Sequence, residues 1–275
     1  MPSIAERRDA FRKLHEAGCF VMPNPWNAGT ARYLQGLGFK ALATTSSGFA
    51  HALGCADGAV PRDMVLRHLR DIVEATDLPV NADFEGGYAD APEDVAENVR
   101  LGVETGVAGL SIEDSTGDAA NPLYDFDLAV ARVRAARAAI DKAGGKVVLT
   151  ARTEGFIAGR PDLDETIRRL KAFAELGAEC LYPPGIRTRE HITAVVNAVA
   201  PKPVNLLVST NAFTVAEIAA MGVRRISIGG TLARVAWTAV MQSARQLAET
   251  GSFDSFAGTL RNAELNALFR EPREH

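Results

Sequence analysis

The sequence predicts a (β/α)8 barrel, and three observations support that fold class. Short apolar runs recur along the chain, a longer segment with helical spacing follows each run, and no linker or shift in composition interrupts the alternation. Eight such units in 275 residues match the size of one barrel, so we predict a single domain over residues 1–275. An open, doubly wound sheet is the alternative, because patterning alone cannot show whether a parallel sheet closes. The predicted strands span residues 19–22, 41–45, 79–83, 109–113, 147–152, 180–182, 204–208 and 225–228.

Apolar residues at helical spacing predict the helices between the strands. Val65, Leu69 and Ile72 share one face of such a segment, as a helix packed against a sheet requires. Helical spacing continues after the eighth strand over residues 232–247 and 260–269, which is more helix than one barrel unit needs. We therefore predict a C-terminal helical extension over about residues 231–275 that contacts another subunit.

Composition and charge exclude several classes of protein. The 30 basic and 34 acidic residues give a net charge of −4, and neither sign forms a block that would attract nucleic acid or an anionic membrane. The N-terminus is charged and no run of about 18 apolar residues occurs, so neither a secretory leader nor a membrane span is expected. The three cysteines form no close pair, which favours a reducing, cytoplasmic location over a disulfide framework.

Acidic side chains cluster where the third and fourth predicted strands end. Asn81, Asp83 and Glu85 mark the end of strand three, and Glu113 and Asp114 mark the end of strand four. Barrel enzymes place their active sites at the C-terminal ends of the strands, so we expect the four carboxylates to converge there. Oxygen ligands with few histidines nearby favour a hard cation, and we predict Mg²⁺ or Mn²⁺. In the structural alternative, these acids cap helices or pair with arginines.

An arginine follows at the end of strand five. The guanidinium of Arg152 can hold a substrate carboxylate or a developing enolate in a fork. Its structural alternative is a salt bridge to Glu113 or Glu154, and both roles can coexist.

A hydroxyl-rich turn follows strand two. Ser46, Ser47 and Gly48 offer hydroxyl and backbone N–H groups there, which suit a carboxylate of the substrate.

Absences narrow the reaction class. No lysine falls at the end of a predicted strand, there is no G-x-S-x-G elbow, and no histidine pair has metal-binding spacing. Imine chemistry, serine hydrolysis and zinc hydrolysis are therefore disfavoured. The remaining chemistry is an oxyanion stabilised by a cation, which supports decarboxylation, C–C cleavage or aldol-type reactions of a 2-oxo acid.

Four motifs together resemble the isocitrate lyase/phosphoenolpyruvate mutase superfamily. They are Ser-Ser-Gly-Phe at 46–49, Asn-Ala-Asp at 81–83, Ile-Glu-Asp at 112–114 and Ala-Arg-Thr-Glu at 151–154, in the family's order and spacing. The resemblance implies a (β/α)8 barrel that forms a homotetramer, a dimer of dimers, in which neighbouring subunits swap the last barrel helix. It also implies action on 2-oxo or 2-hydroxy acids with Mg²⁺.

The resemblance also implies roles for individual residues. Ser47 and Gly48 would bind the substrate carboxylate, Asp83 and Glu113 would hold Mg²⁺ directly or through water, and Arg152 would contact substrate oxygens.

Two further positions match the family. Asp57 corresponds to an aspartate near the metal, and Asn205 corresponds to a position near the far end of the substrate.

The sequence departs from the family's pattern at two places. Asn81 stands where the family usually has a metal-ligating aspartate, and Glu85 is a candidate to supply the missing charge. The loop over residues 115–124 lacks the cysteine and lysine of the isocitrate and methylisocitrate lyases, and the corresponding mutase motif.

These observations predict a Mg²⁺-dependent carbon–carbon lyase that acts on a small 2-oxo or 2-hydroxy (di)carboxylic acid through a metal-bound enolate. Oxaloacetate decarboxylation ranks first, because it needs no base to start and survives loss of the cysteine. One alternative is a methylisocitrate lyase-like or phosphonopyruvate-type activity with a different acid, Tyr124 or Glu154. The other is a barrel that binds a 2-oxo acid without turnover.

Overall fold

Strands and helices alternate along the chain in the computed structural model, which describes residues 1–270. All eight predicted strands are present, so the predicted pattern is confirmed. The strands are β1 Phe20–Met22, β2 Leu42–Ala43, β3 Val80–Asp83, β4 Gly109–Glu113, β5 Val148–Arg152, β6 Cys180–Tyr182, β7 Asn205–Leu207 and β8 Arg225–Ser227. The helices are α1 Ile4–Leu14, α2 Ala28–Gly36, α3 Ser46–Ala52, α4 Arg62–Ala75, α5 Pro92–Glu104, α6 Phe126–Lys142, α7 Leu163–Glu175, α8 Arg189–Val199, α9 Val215–Ala220, α10 Thr231–Thr250 and α11 Asn262–Arg270, with a 3₁₀ turn at Asp254–Phe256.

The strands form a closed parallel barrel. Hydrogen-bonded pairing runs in the order β2-β3-β4-β5-β6 and in the order β1-β8-β7. Two seams join these groups: the Leu181 amide donates to the Pro203 carbonyl at 2.9 Å, and the Ala43 amide donates to the Pro23 carbonyl at 3.1 Å. The predicted (β/α)8 barrel is therefore confirmed, and the open-sheet alternative is wrong.

Strand β2 is shorter than predicted, for a local reason. The sequence predicted a strand over residues 41–45, but only Leu42–Ala43 is paired as a strand. Thr45 instead caps α3, because its hydroxyl oxygen accepts a 3.3 Å hydrogen bond from the Gly48 amide. This cap turns the chain into a helix directly at the barrel mouth.

Apolar side chains fill the layer between barrel and helices. On α4, Val65, Leu69 and Ile72 are buried against the sheet, as their spacing predicted. Helix α1 closes the N-terminal end of the barrel, where Phe11 packs against His15 and Phe20. Because that end is plugged by aromatic rings, the opposite end is the one open to a ligand.

The C-terminal elements leave apolar side chains exposed. Ala233 is the one buried residue of α10, and none is buried on α11. Exposed apolar residues are Val235, Trp237, Val240, Met241, Leu247, Phe253, Phe256, Leu260, Leu265, Leu268 and Phe269. Helix α11 returns to α2, where the Phe269 ring lies close to Gly29. The predicted helical extension is present up to Arg270, and its residues 271–275 lie outside the described part of the chain.

No helix within residues 1–270 is long and apolar enough to span a membrane.

Candidate active site at the barrel mouth

A cavity of about 390 Å³ lies at the C-terminal ends of the strands, and every strand or the loop after it contributes to its wall. Seven of the ten predicted site residues line it: Ser46, Ser47, Asp57, Asn81, Asp83, Arg152 and Asn205. Glu85, Glu113 and Gly48 lie beside this wall rather than on it. The strand ends therefore bring the predicted residues into one region.

Arg152 is the centre of an ion-pair cluster. Its Nη1 lies 2.7 Å from Asp83 Oδ1, its Nη2 lies 3.1 Å from Glu113 Oε2, and its Nε lies 2.9 Å from Glu154 Oε1. The ring of Tyr182 lies 4.9 Å from the guanidinium carbon. The salt-bridge alternative foreseen for Arg152 is thus present, with both predicted glutamates and with Asp83.

Burial disfavours the charged forms of the side chains in this cluster. It raises the pKa of Glu113 well above its usual range, and it also raises the pKa of Glu154. Burial opposes the charge of Arg152 as well, but Glu113, Glu154 and Asp83 together raise its pKa well above the usual value. Burial and the neighbouring Asp83 raise the pKa of Glu85 to about 7. A further positive charge would therefore stabilise the ionised carboxylates.

The turn after β2 is tied to Asp83. The Ser46 amide donates a 2.9 Å hydrogen bond to Asp83 Oδ2, and the Thr44 hydroxyl oxygen accepts one from the Asp83 amide at 2.9 Å. The Gly48 amide is bonded to Thr45. The backbone N–H groups of Ser46 and Gly48 therefore already have protein partners. Ser47 lines the cavity, and its hydroxyl forms a 3.2 Å hydrogen bond with the Thr45 hydroxyl.

Close packing explains Gly48 in this turn and Gly230 in the chain after β8. A Cβ atom on Gly48 would lie 2.6 Å from Thr45 Cγ2, and one on Gly230 would lie 2.5 Å from Ser47 Oγ. The chain after β8 can approach the turn after β2 only because both positions lack a side chain.

The predicted metal ligands occupy different depths. Asp83 and Glu113 reach the same guanidinium, while Glu85 accepts a 2.9 Å hydrogen bond from the Tyr88 hydroxyl. Asn81 lies deeper and is 3% exposed; its Oδ1 has no hydrogen-bond partner among the described residues. A Cβ atom on Gly109 of β4 would lie 2.6 Å from that oxygen.

The donor chemistry suits a hard divalent cation. In residues 1–270, no three His, Cys, Asp or Glu side chains are arranged to hold a metal ion. The arrangement instead directs Asp83, Glu113 and Glu154 to Arg152. The available ligands are nevertheless all oxygens: three carboxylates contact one guanidinium and Glu85 lies nearby, so a divalent cation would stabilise their ionised forms.

Asp114 does not join the cluster. It is 2% exposed, accepts a 2.8 Å hydrogen bond from the Glu154 amide and pairs with Arg169 at 3.1 Å. The expectation that four carboxylates of β3 and β4 converge is corrected here: Glu154 from the loop after β5 takes the place of Asp114.

Asp57 and Asn205 both line the cavity but differ in burial. Asp57 is exposed in the loop after α3. Asn205 is 1% exposed, and both ends of its amide are bonded: Oδ1 accepts from Arg225 Nε at 2.8 Å, and Nδ2 donates to Ser227 Oγ at 2.9 Å.

Several cavity residues were not singled out from the sequence. Asn24 joins three strand ends, since its Nδ2 donates to the Thr44 carbonyl and its Oδ1 accepts from the amides of Ile228 and Gly229. Its position two residues after the end of β1 was the signal that could have identified it. The other polar residues missed are Ser111, Tyr182, Arg187, Ser209, Arg225, Ser227, Thr231 and Arg234.

The loop over residues 115–124 folds onto itself and does not line the cavity. An antiparallel bridge joins Ser115 to Leu123, and the Tyr124 hydroxyl donates to Asp90. The Arg132 guanidinium lies 4.0 Å from the Tyr124 ring. The structure therefore does not bring Tyr124, one of the two alternative acids, into the cavity.

Known proteins share this fold and these motifs. The chain matches the family described as phosphoenolpyruvate phosphomutase over residues 11–248. A Burkholderia cenocepacia protein of known crystal structure, assigned to the lyase/mutase class without an established reaction, is 44% identical, with a TM-score of 0.95 and 98% of each chain covered. Oxaloacetate acetylhydrolase, solved with the product oxalate, is 28% identical, with a TM-score of 0.84 over 97% of this chain and 93% of that chain.

A further relative has a sequence identity to this chain close to that of oxaloacetate acetylhydrolase. The oxaloacetate decarboxylase of Paraburkholderia xenovorans is 30% identical over 205 residues, which are 70% of this chain and 66% of that protein. The barrel, the strand-end motifs and the family match over residues 11–248 show that the chain belongs to the isocitrate lyase/phosphoenolpyruvate mutase superfamily, a group of lyases and mutases.

Proposed function

We propose that this protein is a Mg²⁺-dependent carbon–carbon lyase of a small 2-oxo dicarboxylic acid, with oxaloacetate decarboxylation as its first candidate reaction. The observation that carries the proposal is the arrangement of Asp83, Glu113 and Glu154 around Arg152 at the barrel mouth. The similarity to an oxaloacetate decarboxylase and to oxaloacetate acetylhydrolase supports the choice of oxaloacetate as the test substrate.

The acidic residues of the site would bind the cation, and Arg152 would bind the substrate. Asp83 and Glu113, with Glu85 and Asn81 nearby, would hold Mg²⁺ directly or through water. A divalent cation there supplies positive charge that polarises a 2-oxo group and stabilises an enolate. Arg152, already held by three carboxylates, would contact substrate oxygens, and Asp57 stands at the exposed rim as a further polar group.

The turn after β2 would bind the substrate carboxylate. The Ser47 hydroxyl lines the cavity and lies close enough to Gly230 that even one methyl group at that glycine would contact it. Ser46 and Gly48 would act by shaping this turn, because their backbone amides are bonded to Asp83 and Thr45. Asn205, held by Arg225 and Ser227, would present its amide toward the far end of the substrate.

Decarboxylation fits the polarity of the cavity. Its wall within residues 1–270 contains hydroxyls, amides, arginines and two aspartates, but no cysteine, lysine or histidine. Loss of the C4 carboxylate of oxaloacetate as CO₂ leaves the bond's electron pair as the enolate of pyruvate and needs no base, and the enolate can take its proton from water. A cleavage that depends on a side-chain acid is less well supported, because Tyr124 points elsewhere and Glu154 is bonded to Arg152.

The products of oxaloacetate test this proposal. The protein would be incubated with ¹³C-labelled oxaloacetate and Mg²⁺, and the products followed by NMR against a protein-free control. Pyruvate and CO₂ above background are expected. Oxalate with acetate would show hydrolytic C–C cleavage instead, and unchanged oxaloacetate despite measurable binding would favour the non-catalytic barrel.

We further propose that the protein is one domain that assembles through its C-terminal helices in a reducing, cytoplasmic environment. The exposed Trp237 and Met241 of α10 support an oligomer in which this helix packs on another copy, in a dimer of dimers. Light scattering on a size-exclusion column would report a tetramer, and Trp237→Asp would shift it toward smaller species. A wild-type monomer would contradict the assembly.

A further inference from the structure

Two arginines at the cavity mouth have no acidic partner. Arg187 lies in the loop after β6 and forms no hydrogen bond or ion pair with any residue in 1–270. Arg234 lies in the first turn of α10, and its guanidinium donates to the Thr231 hydroxyl at 3.0 Å without meeting a carboxylate in the described chain. Both side chains line the same cavity as Arg152.

The charge of the cavity wall is opposite to that of the whole protein. The chain carries a net charge of −4, yet the wall bears Arg152, Arg187, Arg225 and Arg234 against Asp57 and Asp83. Arg152 is occupied by three carboxylates, so it does not account for this excess. The unpaired positive charge therefore lies at the mouth and in the wall away from the acidic cluster.

Some exposed arginines of this protein are paired with neighbouring acids, and others, such as Arg134 on α6, form no ion pair within residues 1–270. Arg100 contacts Glu97 and Glu104 on α5, and Arg168 contacts Glu165 on α7. Arg187 and Arg234 differ from the other unpaired, exposed arginines because both line the cavity that Arg152 also lines. Two unpaired guanidinium groups from separate elements converge on one cavity, which is the arrangement expected for binding an anion.

The backbone holds Arg187 at the mouth. Gly185 has a φ of +95°, and a Cβ atom there would lie 2.7 Å from Ile157 Cγ2 and 2.9 Å from Phe156 Cβ. Glycine thus lets the loop after β6 lie directly against the loop after β5. This close packing fixes where the chain emerges two residues before Arg187, so the guanidinium is presented from a defined position.

We propose that Arg187 and Arg234 bind the second carboxylate of the substrate and make the site selective for dicarboxylates. This inference rests on the proposed function, which puts the 2-oxo carboxylate end of the substrate at Ser47 and Arg152. The two unpaired arginines then take the distal carboxylate, which a guanidinium recognises through paired N–H donors. A 2-oxo acid with an alkyl end would leave both arginines without a counterion.

Ligands that differ at one end test the two ends of the site separately. Isothermal titration calorimetry in the presence of Mg²⁺ would compare 2-oxoglutarate with 2-oxopentanoate, in which a methyl group replaces the distal carboxylate. Oxalate would probe the proximal end alone. The proteins would be the wild type, Arg187→Gln, Arg234→Gln, the double variant and, as a control, Arg134→Gln, which removes an exposed arginine on α6.

We expect wild-type protein to bind 2-oxoglutarate at least about tenfold more tightly than 2-oxopentanoate, as a charge-assisted contact of this kind provides. The double variant should reduce that ratio to about one, each single variant should reduce it in part, and oxalate affinity should change less than about threefold. The ratio should also fall with added salt, because both arginines are exposed.

The outcomes distinguish the two proposals. Unchanged discrimination in the double variant, with oxalate still bound, would overturn the role of Arg187 and Arg234 and leave the proposed function standing. Wild-type protein that binds oxalate but prefers 2-oxopentanoate to 2-oxoglutarate would also overturn the role of Arg187 and Arg234. Absence of oxalate binding would overturn the proposed function, and this inference with it.

Discussion

The Nη1 atom of Arg152 on β5 lies 2.7 Å from Oδ1 of Asp83 on β3, so one ion pair spans the intervening strand β4. Glu113, at the end of β4, contacts the same guanidinium from between them. The three strand ends therefore share one buried charge cluster. Stability and ligand binding at the barrel mouth should both depend on it.

Replacing Arg152 should destabilise the protein in a way that metal relieves. Arg152→Ala leaves Asp83, Glu113 and Glu154 without their counter-charge in a site that is mostly buried, so we expect a loss of about 3 kcal/mol in the free energy of unfolding with EDTA present. Saturating Mg²⁺ should restore part of this loss. Urea unfolding with EDTA and with Mg²⁺ measures the free energy of unfolding in each condition, with Arg134→Ala as the control. If Arg152→Ala loses the same free energy of unfolding with Mg²⁺ as with EDTA, a cation site here is contradicted.

Gly48 should tolerate no side chain. In Gly48→Ala, the new methyl group would lie 2.6 Å from Thr45 Cγ2, 3.2 Å from Trp26 Cβ and 3.3 Å from Ala233 Cβ. We expect a loss of about 1–3 kcal/mol in unfolding free energy from overpacking, together with weaker binding at the turn after β2.

The matched control for this change is Gly36→Ala. Gly36 ends α2 with nothing within 4 Å of an added Cβ atom, so alanine there should leave stability unchanged or raise it by ~0.5 kcal/mol. Thermal denaturation of both variants would decide the matter. Equal stability of the two alanine variants would mean that the turn relaxes without cost.

His68 should make stability fall on the acid side of neutrality. Its ring stacks on Phe49 at 3.8 Å, its Nε2 has no hydrogen-bond partner among the described residues, and burial lowers its pKa to about 4. Because the unfolded chain binds this proton near pH 6.5 and the folded one near pH 4, its contribution is present above about pH 6.5 and is lost as the pH falls between these values.

The variant His68→Phe isolates this effect while retaining an aromatic ring against Phe49. The wild type should lose about 2 kcal/mol more than the variant when the pH is lowered from 7 to 5. Urea unfolding at the two pH values measures the difference. Parallel losses in both proteins would show that His68 is protonated in the folded state.

Tyr124 should contribute to loop structure and not to turnover. Its hydroxyl donates to Asp90 and its ring packs under Arg132, outside the cavity wall. Tyr124→Phe should therefore leave kcat for oxaloacetate within about threefold of wild type, while lowering stability by about 1 kcal/mol for the lost hydrogen bond. A hundredfold drop in kcat with an unchanged free energy of unfolding would restore Tyr124 as a candidate acid.

The sequence was most informative where a repeating pattern determines structure. The eight apolar runs predicted every strand because both faces of a barrel strand are buried, and strand-end position alone selected Asp83 and Arg152. Residue alternation could also have separated Asp114 from Glu113, since neighbouring strand residues point to opposite faces. The structure follows this rule, with Asp114 directed to Arg169.

The partners of charged side chains could not be predicted from the sequence, because those partners lie on elements distant along the chain. Arg225 lies within an apolar strand segment, and nothing in the pattern shows that its guanidinium meets Asn205 and His15 rather than an acid. Arg187 likewise follows a strand, but its lack of a partner becomes visible only when all neighbouring loops are in place. Functional residues that act through unpaired charge are therefore harder to predict than those that belong to a motif.

The most direct test of the account is the initial rate of pyruvate release from oxaloacetate with saturating Mg²⁺ and with EDTA, after subtraction of the uncatalysed rate of the metal alone. Wild-type protein, Asp83→Ala and the surface control Arg134→Gln would be compared. We expect turnover that requires metal, falls about a hundredfold in Asp83→Ala and is unchanged in Arg134→Gln. Turnover at background in the wild type, or equal rates in wild type and Asp83→Ala, would contradict it.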